Sequence, residues 1–414
     1  MTNLFFTDPT TLERLKRGPM GPYIARYAGQ LVAEGYARQS ARLQIRLVAD
    51  FSRWLDEQGI SAHEVVAEHT TNYLRSGSRG GYQAGRGDKA ALARLLNLLC
   101  KQGVIVEQSP RRPTTPIEHL VEDYDVYLEK ERALSLATRV NYRAFVRRFL
   151  TVRFGTGPVE LSSLCAPEIT GFVRSEAPRL NGKRVQLMIT ALRSFLRFAR
   201  YRGQISLDLA ACVPSVASWS ISALPRSLPP LQVEEVLTHC NRHTPCGRRD
   251  YAILLLLARL GLRAGEIAAL TLEDIDWEKG CIAVEGKGGR VCQLPLPADV
   301  GEAIVAYLKN GRPQVVSERR VFLRSRAPVV GFKSQQAVCS IVQHALARAA
   351  IDAPRKGAHQ FRHTLATEML KRGASLSEIG ELLRHQNPQT TTIYAKVDLV
   401  SLRTLALPWP GGVR

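Results

Sequence analysis

The sequence predicts a mainly α-helical protein in which one short β-hairpin interrupts an otherwise helical C-terminal part. Three observations carry that expectation. Apolar residues recur at helical spacing in segments such as 40–55, 90–105, 136–150 and 190–205. The alternation that marks a strand stands out in one place, 281–296, where two such runs flank the turn EGKGGR. Two proline-rich joints, QSPRRPTTP at 108–116 and VPSVASWSISALPRSLPP at 213–230, divide the 414 residues into three parts of ordinary domain size.

Residues 1–110 read as a helical N-terminal domain with helices SARLQIRLVADFSRWL (40–55) and AALARLLNLLCKQGVI (90–105). Between them RSGSRGGYQAGRGDK (75–89) reads as a loop suited to following a phosphate backbone. Residues 115–210 form a second helical domain, with LATRVNYRAFVRRFL (136–150) and TALRSFLRFARYRGQI (190–205) in the corresponding places. A shift of 100 positions brings Leu92 onto Leu192, Leu96 onto Leu196, Gly103 onto Gly203 and Ile105 onto Ile205. An internal duplication and two unrelated amphipathic bundles both account for that much likeness. Residues 228–414 form the third domain, with helices expected at 231–240, 247–261, 299–308, 336–350, 359–372 and 376–385. Its hairpin carries Lys287 near the tip, between Gly286 and Gly288.

The chain holds 57 Lys and Arg against 37 Asp and Glu, and a sequence pI near 10 points to a polyanionic partner. The excess is distributed: 14 basic against 10 acidic residues in 1–110, 18 against 10 in 111–226, and 25 against 17 in 227–414. This is no basic tail on a neutral body, and a nucleic-acid partner fits it better than a basic surface kept for solubility. The 8 cysteines follow no framework spacing, which suits reduced thiols in a cytoplasm. Cys240, His243 and Cys246 lack a fourth ligand at a zinc-site spacing. The N-terminal apolar run is too short for a signal peptide, and ILLLLARLGL is too short to cross a bilayer, so a cytoplasmic protein is expected.

Five polar stretches of the third part fit one reaction: GLRAGE (Arg263, Glu266), EGKGGR (Lys287), HQFRHT (His359, Arg362, His363), RHQNP (His385) and TTTIYAK (Tyr394). Each alone has an ordinary explanation, as a cap, a turn lysine, a helix-surface pair or a half-buried tyrosine. Together they supply what breaking a phosphodiester without a metal requires: a nucleophile, cations on the non-bridging oxygens, and an acid for the departing 5′ oxygen. Arginine suits the clamp because its planar fork meets two phosphate oxygens and keeps its charge. No carboxylate cluster of the two-metal kind accompanies these stretches.

On these motifs the third part resembles the catalytic domain of the tyrosine recombinases, the phage-integrase family, with Xer-like spacing; residues 115–210 resemble more loosely the family's helical core-binding domain. The resemblance implies a mixed, mostly helical catalytic domain with a small β-sheet. It makes Tyr394 the nucleophile, giving a 3′-phosphotyrosyl link, with Arg263 and Arg362 on the phosphate. Lys287 is implied as general acid, His359 as acceptor or sharer of the tyrosine proton, and His385 as a hydrogen-bond donor to the phosphate. Glu266 takes a supporting place, and His363, turned about 100° from Arg362 around the helix, a structural one. Two departures are Phe361 in place of the commoner Leu and Arg384 where Gly is usual.

The resemblance further implies double-stranded DNA recombination sites as partners, a tetramer on two duplexes, possible helper or sister recombinases, and no cofactor. The apolar run 399–407, stopped by Pro408, is expected to dock on a neighbouring protomer, the alternative being that it folds back on its own domain. Residues 1–110 are left to further DNA or to protein contacts. A type IB topoisomerase and a catalytically silent DNA-binding regulator are the alternatives, and the target site and the sense of the reaction stay open.

Overall fold

The computed structural model describes residues 4–76, 86–106, 114–215, 227–286, 289–314, 318–353 and 356–397. Lys287, most of the 75–89 loop and the apolar run 399–407 lie outside these residues. Two compact units form, one from 1–106 with 221–414 and the other from 107–220. Within the first unit the apolar residues make separate clusters, from Phe5 to Ile105 and from Leu228 to Phe361. A backbone bond from Val329 N to Glu34 O (2.9 Å) links these two segments. Gly35 there has φ +77, and a Cβ on it would meet Val329 at 2.8 Å, so this close approach requires glycine.

The N-terminal segment contains α1 (Pro9–Leu15), α2 (Gly21–Ala33), α3 (Arg38–Glu57), α4 (Ala67–Arg75) and α5 (Arg86–Lys101). The 107–220 unit contains α6 (Pro116–Lys130), α7 (Leu136–Phe154), α8 (Ala166–Glu176) and α9 (Gly182–Tyr201). Helices α2 to α5 and α6 to α9 follow a similar order, two helices, a 3₁₀ turn (Ala62–Glu64 or Leu161–Ser163), then two helices, with α1 added in the first and a second 3₁₀ turn (Ala177–Arg179) before α9 in the second. Tyr27 on α2 donates to Ala91 O at 3.1 Å, and Tyr124 on α6 donates to Ala191 O at 3.4 Å. Gly103 and Gly203 follow α5 and α9 with φ of +68 and +70. These left-handed glycines end both helices near 101 and 201, short of the expected 105 and 205. α9 also starts eight residues earlier than the periodicity suggests, because the Asn181 side chain accepts from Arg184 N (3.0 Å) and caps it.

The C-terminal segment runs α10 (Pro230–Thr238), α11 (Pro245–Leu260), α12 (Ala264–Ala269), a three-stranded antiparallel sheet, α13 (Ala298–Asn310), α14 (Gln335–Arg348), α15 (His359–Lys371) and α16 (Leu376–Leu382). The sheet orders β1 (Ile275–Asp276), β2 (Cys281–Glu285) and β3 (Val291–Pro295) side by side, with Ile282 opposite Leu294. The mainly α architecture with a small hairpin is as the sequence predicts; β1, of two residues, is too short to show alternation. Residues 252–257 of α11 are at most 1% exposed, so this helix is the centre of the core and fixes the chain that leaves it. Among the described residues no helix is long and apolar enough to cross a membrane.

Candidate active site

α11 ends at Gly261, whose φ of +57 lets the chain turn; a Cβ there would meet Leu365 and Leu383 at 3.0 Å. Two residues on, Arg263 caps α12. Its N–H donates to Glu266 Oε2 (2.8 Å) and its guanidinium to Glu266 Oε1 (2.7 Å). Glu266, with its side chain 5% exposed, also accepts from Arg384 Nη2 at 2.9 Å. One carboxylate thus holds two arginines, at the position for which the resemblance implied a supporting place.

Arg362 projects from α15 and is 4% exposed. Its guanidinium donates to Gly261 O at 2.5 Å and to Leu383 O, tying the end of α11 to the end of α16. Burial first, and then the neighbouring charges of Arg263 and Arg384, pull the guanidinium down to about 10. It stays cationic at neutral pH. Glu266 offsets only part of this cluster of like charges, so the site keeps a positive balance, which suits an anion such as phosphate.

His385 is delivered by the end of α16. Its N–H bonds Gly380 O and the N–H of Arg384 bonds Glu381 O, both at 2.9 Å, the pairing of a Schellman cap. That cap ends the helix at Leu382, three residues before the expected 385. His385 Nδ1 lies 2.7 Å from Thr391 Oγ1, and Thr391 is 2% exposed. Burial first, then Arg362 and Arg263, lower the imidazole from its ordinary 6.5 to about 4, so it is neutral at pH 7.

Tyr394 lies in the 3₁₀ turn Thr392–Val397 and is 1% exposed, packed with Ala366, Ile379 and Leu383. Burial raises its phenol to about 12, partly countered by Arg362. Its hydroxyl lies 3.0 Å from His363 Nδ1. His363, for which a structural place was expected, thus meets the nucleophile candidate directly, a position the resemblance implied for His359. Four positions after His359, His363 shares that residue's helix face, and the two rings meet edge to face with centroids 6.0 Å apart. The rotation that separates His363 from Arg362 is what turns it toward Tyr394.

The structure thus joins Arg263, Glu266, Arg362, His363, His385 and Tyr394, adds Thr391 and Arg384, and places His359 beside His363. Lys287 belongs to the undescribed tip of the hairpin. Thr391 was hidden in a threonine-rich stretch with nothing to single it out. Arg384 was visible as a departure from glycine.

Residues 226–399 match the model of the phage integrase family, and residues 121–203 that of the phage integrase N-terminal SAM-like domain. The integrase/recombinase y4rA of Sinorhizobium fredii is 50% identical over 98% of this chain and 98% of its own length. The tyrosine recombinase XerA of Thermococcus onnurineus is 32% identical, over 69% of this chain and 94% of its own. Among solved structures, XerH site-specific recombinase bound to a palindromic difH substrate, a post-cleavage complex, has the same fold with a TM-score of 0.57. It is 18% identical and covers 77% of this chain and 94% of its own.

Proposed function

The chain belongs to the phage integrase family of tyrosine-type site-specific DNA recombinases, and from that premise we propose that it cuts and rejoins DNA through a covalent link between Tyr394 and a 3′ phosphate, without a metal ion. The observation that carries this reading is the buried Tyr394 hydroxyl held 3.0 Å from an imidazole nitrogen, in electrostatic contact with Arg362.

In this mechanism Arg263 and Arg362 grip the non-bridging oxygens of the scissile phosphate. A phenol raised to about 12 keeps its proton at pH 7, so attack requires a base. His363 Nδ1 receives that proton, and His359 packs against His363 and sustains its orientation. Neutral His385, with Nδ1 accepting from the Thr391 hydroxyl, carries its proton on Nε2 and offers it to the phosphate. Lys287 protonates the 5′ oxygen as it leaves, and the free 5′ hydroxyl later reverses the step on another strand. The arginines supply at the pentacoordinate phosphate the charge that a metal provides elsewhere.

The DNA partners are double-stranded recombination sites. A tetramer holds two duplexes, with residues 115–210 as the core-binding domain and 228–414 as the catalytic domain. Residues 1–110 form a further helical domain, for DNA outside the core or for protein contacts. Localisation in the cytoplasm, where DNA and reduced thiols coexist, follows from the same proposal. Tyr394→Phe tests it: with a nicked duplex that traps the covalent intermediate in EDTA, wild type forms an adduct and the variant binds but forms none. Adducts in the variant, or a requirement for added metal, would refute the mechanism.

A further inference from the structure

Arg384 occupies a backbone position that disfavours it. At φ +55 it is the left-handed residue of the Schellman cap of α16, where glycine is the residue without a steric cost. Its side chain is nonetheless 8% exposed, with one guanidinium nitrogen on Glu266 Oε2 at 2.9 Å and another on Leu382 O at 3.2 Å. Its Nε is buried and without a hydrogen-bond partner among the described residues. A strained backbone and an incompletely satisfied buried cation are both unfavourable to folding, and such a combination is retained where it serves the site.

Glu266 explains what it serves. This carboxylate orients Arg263 through two hydrogen bonds, yet its negative charge opposes a bound phosphate beside the same arginine. We propose that Arg384 is a positioning residue that neutralises Glu266, so that Arg263 is held by a carboxylate without the site losing net positive charge. The inference rests on the function proposed above and deepens it. Arg384 acts on the phosphate through Glu266 and Arg263, and its charge also adds to the field at Arg362 and His385.

The informative variant is Arg384→Gly, which suits the left-handed backbone and so keeps the cap. Thermal unfolding should show it folded, and a core-site duplex should still bind. Single-turnover formation of the covalent adduct on a nicked duplex should fall about 10- to 100-fold, as for other residues that act through a ligand-binding neighbour. Glu266→Gln removes the charge and one of the two acceptor oxygens and so slows the reaction by itself, but in its background Arg384→Gly should cost much less than it does in the wild type. Arg384→Lys, which keeps the charge, should cleave faster than Arg384→Gly. A glycine variant that cleaves at the wild-type rate overturns the proposal, and so does a glycine substitution whose cost is as large in the Glu266→Gln background as in the wild type. A wild-type chain that forms no adduct overturns the function on which this rests, a result separable from the other two.

Discussion

His363 Nδ1 lies 3.0 Å from the hydroxyl of Tyr394, 31 positions further along the chain. This contact binds the α15 face to the last described turn and puts an imidazole nitrogen within hydrogen-bond reach of the buried phenol. It also sets the two histidines of HQFRHT apart: His363 touches the Tyr394 hydroxyl, and His359, exposed at the helix start, packs against His363 edge to face.

The first prediction separates the two. His363→Ala should lower the rate of adduct formation at pH 7 by about 10²- to 10⁴-fold, the usual contribution of a positioned base. His359→Ala should cost less. Because the phenol titrates near 12, the His363→Ala rate should climb steadily as pH rises from 7 toward 10, as more of the tyrosine ionises unaided. A pH–rate profile on a nicked duplex checks this, and a larger defect in His359→Ala than in His363→Ala would reverse the assignment.

Lys287 is tested by its leaving group. Lys287→Ala should cleave an ordinary phosphodiester very poorly. It should recover on a duplex with a 5′-phosphorothiolate at the scissile position, since sulfur departs without a proton. Equal defects on both substrates would remove Lys287 from the role of acid.

A third prediction concerns His385 and pH. Its imidazole is held near 4 against an ordinary 6.5, so folding favours the neutral ring. The sign follows: the stabilisation is fully present above 6.5 and is lost as pH falls through 6.5 toward 4. His385→Asn cannot titrate. Urea unfolding of both proteins should therefore show the wild type losing stability relative to the variant over that interval, and a constant difference would contradict the burial of a neutral histidine.

Much of the protein is legible in its sequence because much of it is local. Helical spacing marks α3, α7, α11, α13 and α15, and the flanking runs of EGKGGR mark the hairpin between β2 and β3. No helix is expected above at α1, α2, α4, α6 or α8, although α2, α4, α6 and α8 are amphipathic too. Their ends depend on caps such as Asp8, whose carboxylate accepts from Thr11 N, and Thr115, which accepts from Glu118 N. The order of polar motifs likewise singles out Arg263, Glu266, His359, Arg362, His385 and Tyr394, since each sits in a stretch with its own chemistry.

Only the folded chain decides which of these residues meet. Arg384 reaches Glu266 across 118 positions, and Arg362 reaches Gly261 across 101. Spacing within a helix says that His363 points away from Arg362, but not that Tyr394 waits on that side. Nor does it say that Thr391 will close on His385, or that an arginine will accept a glycine's backbone conformation. Periodicity is a property of neighbouring residues, whereas hydrogen bonds, burial and the pKa shifts they cause arise where distant segments pack together.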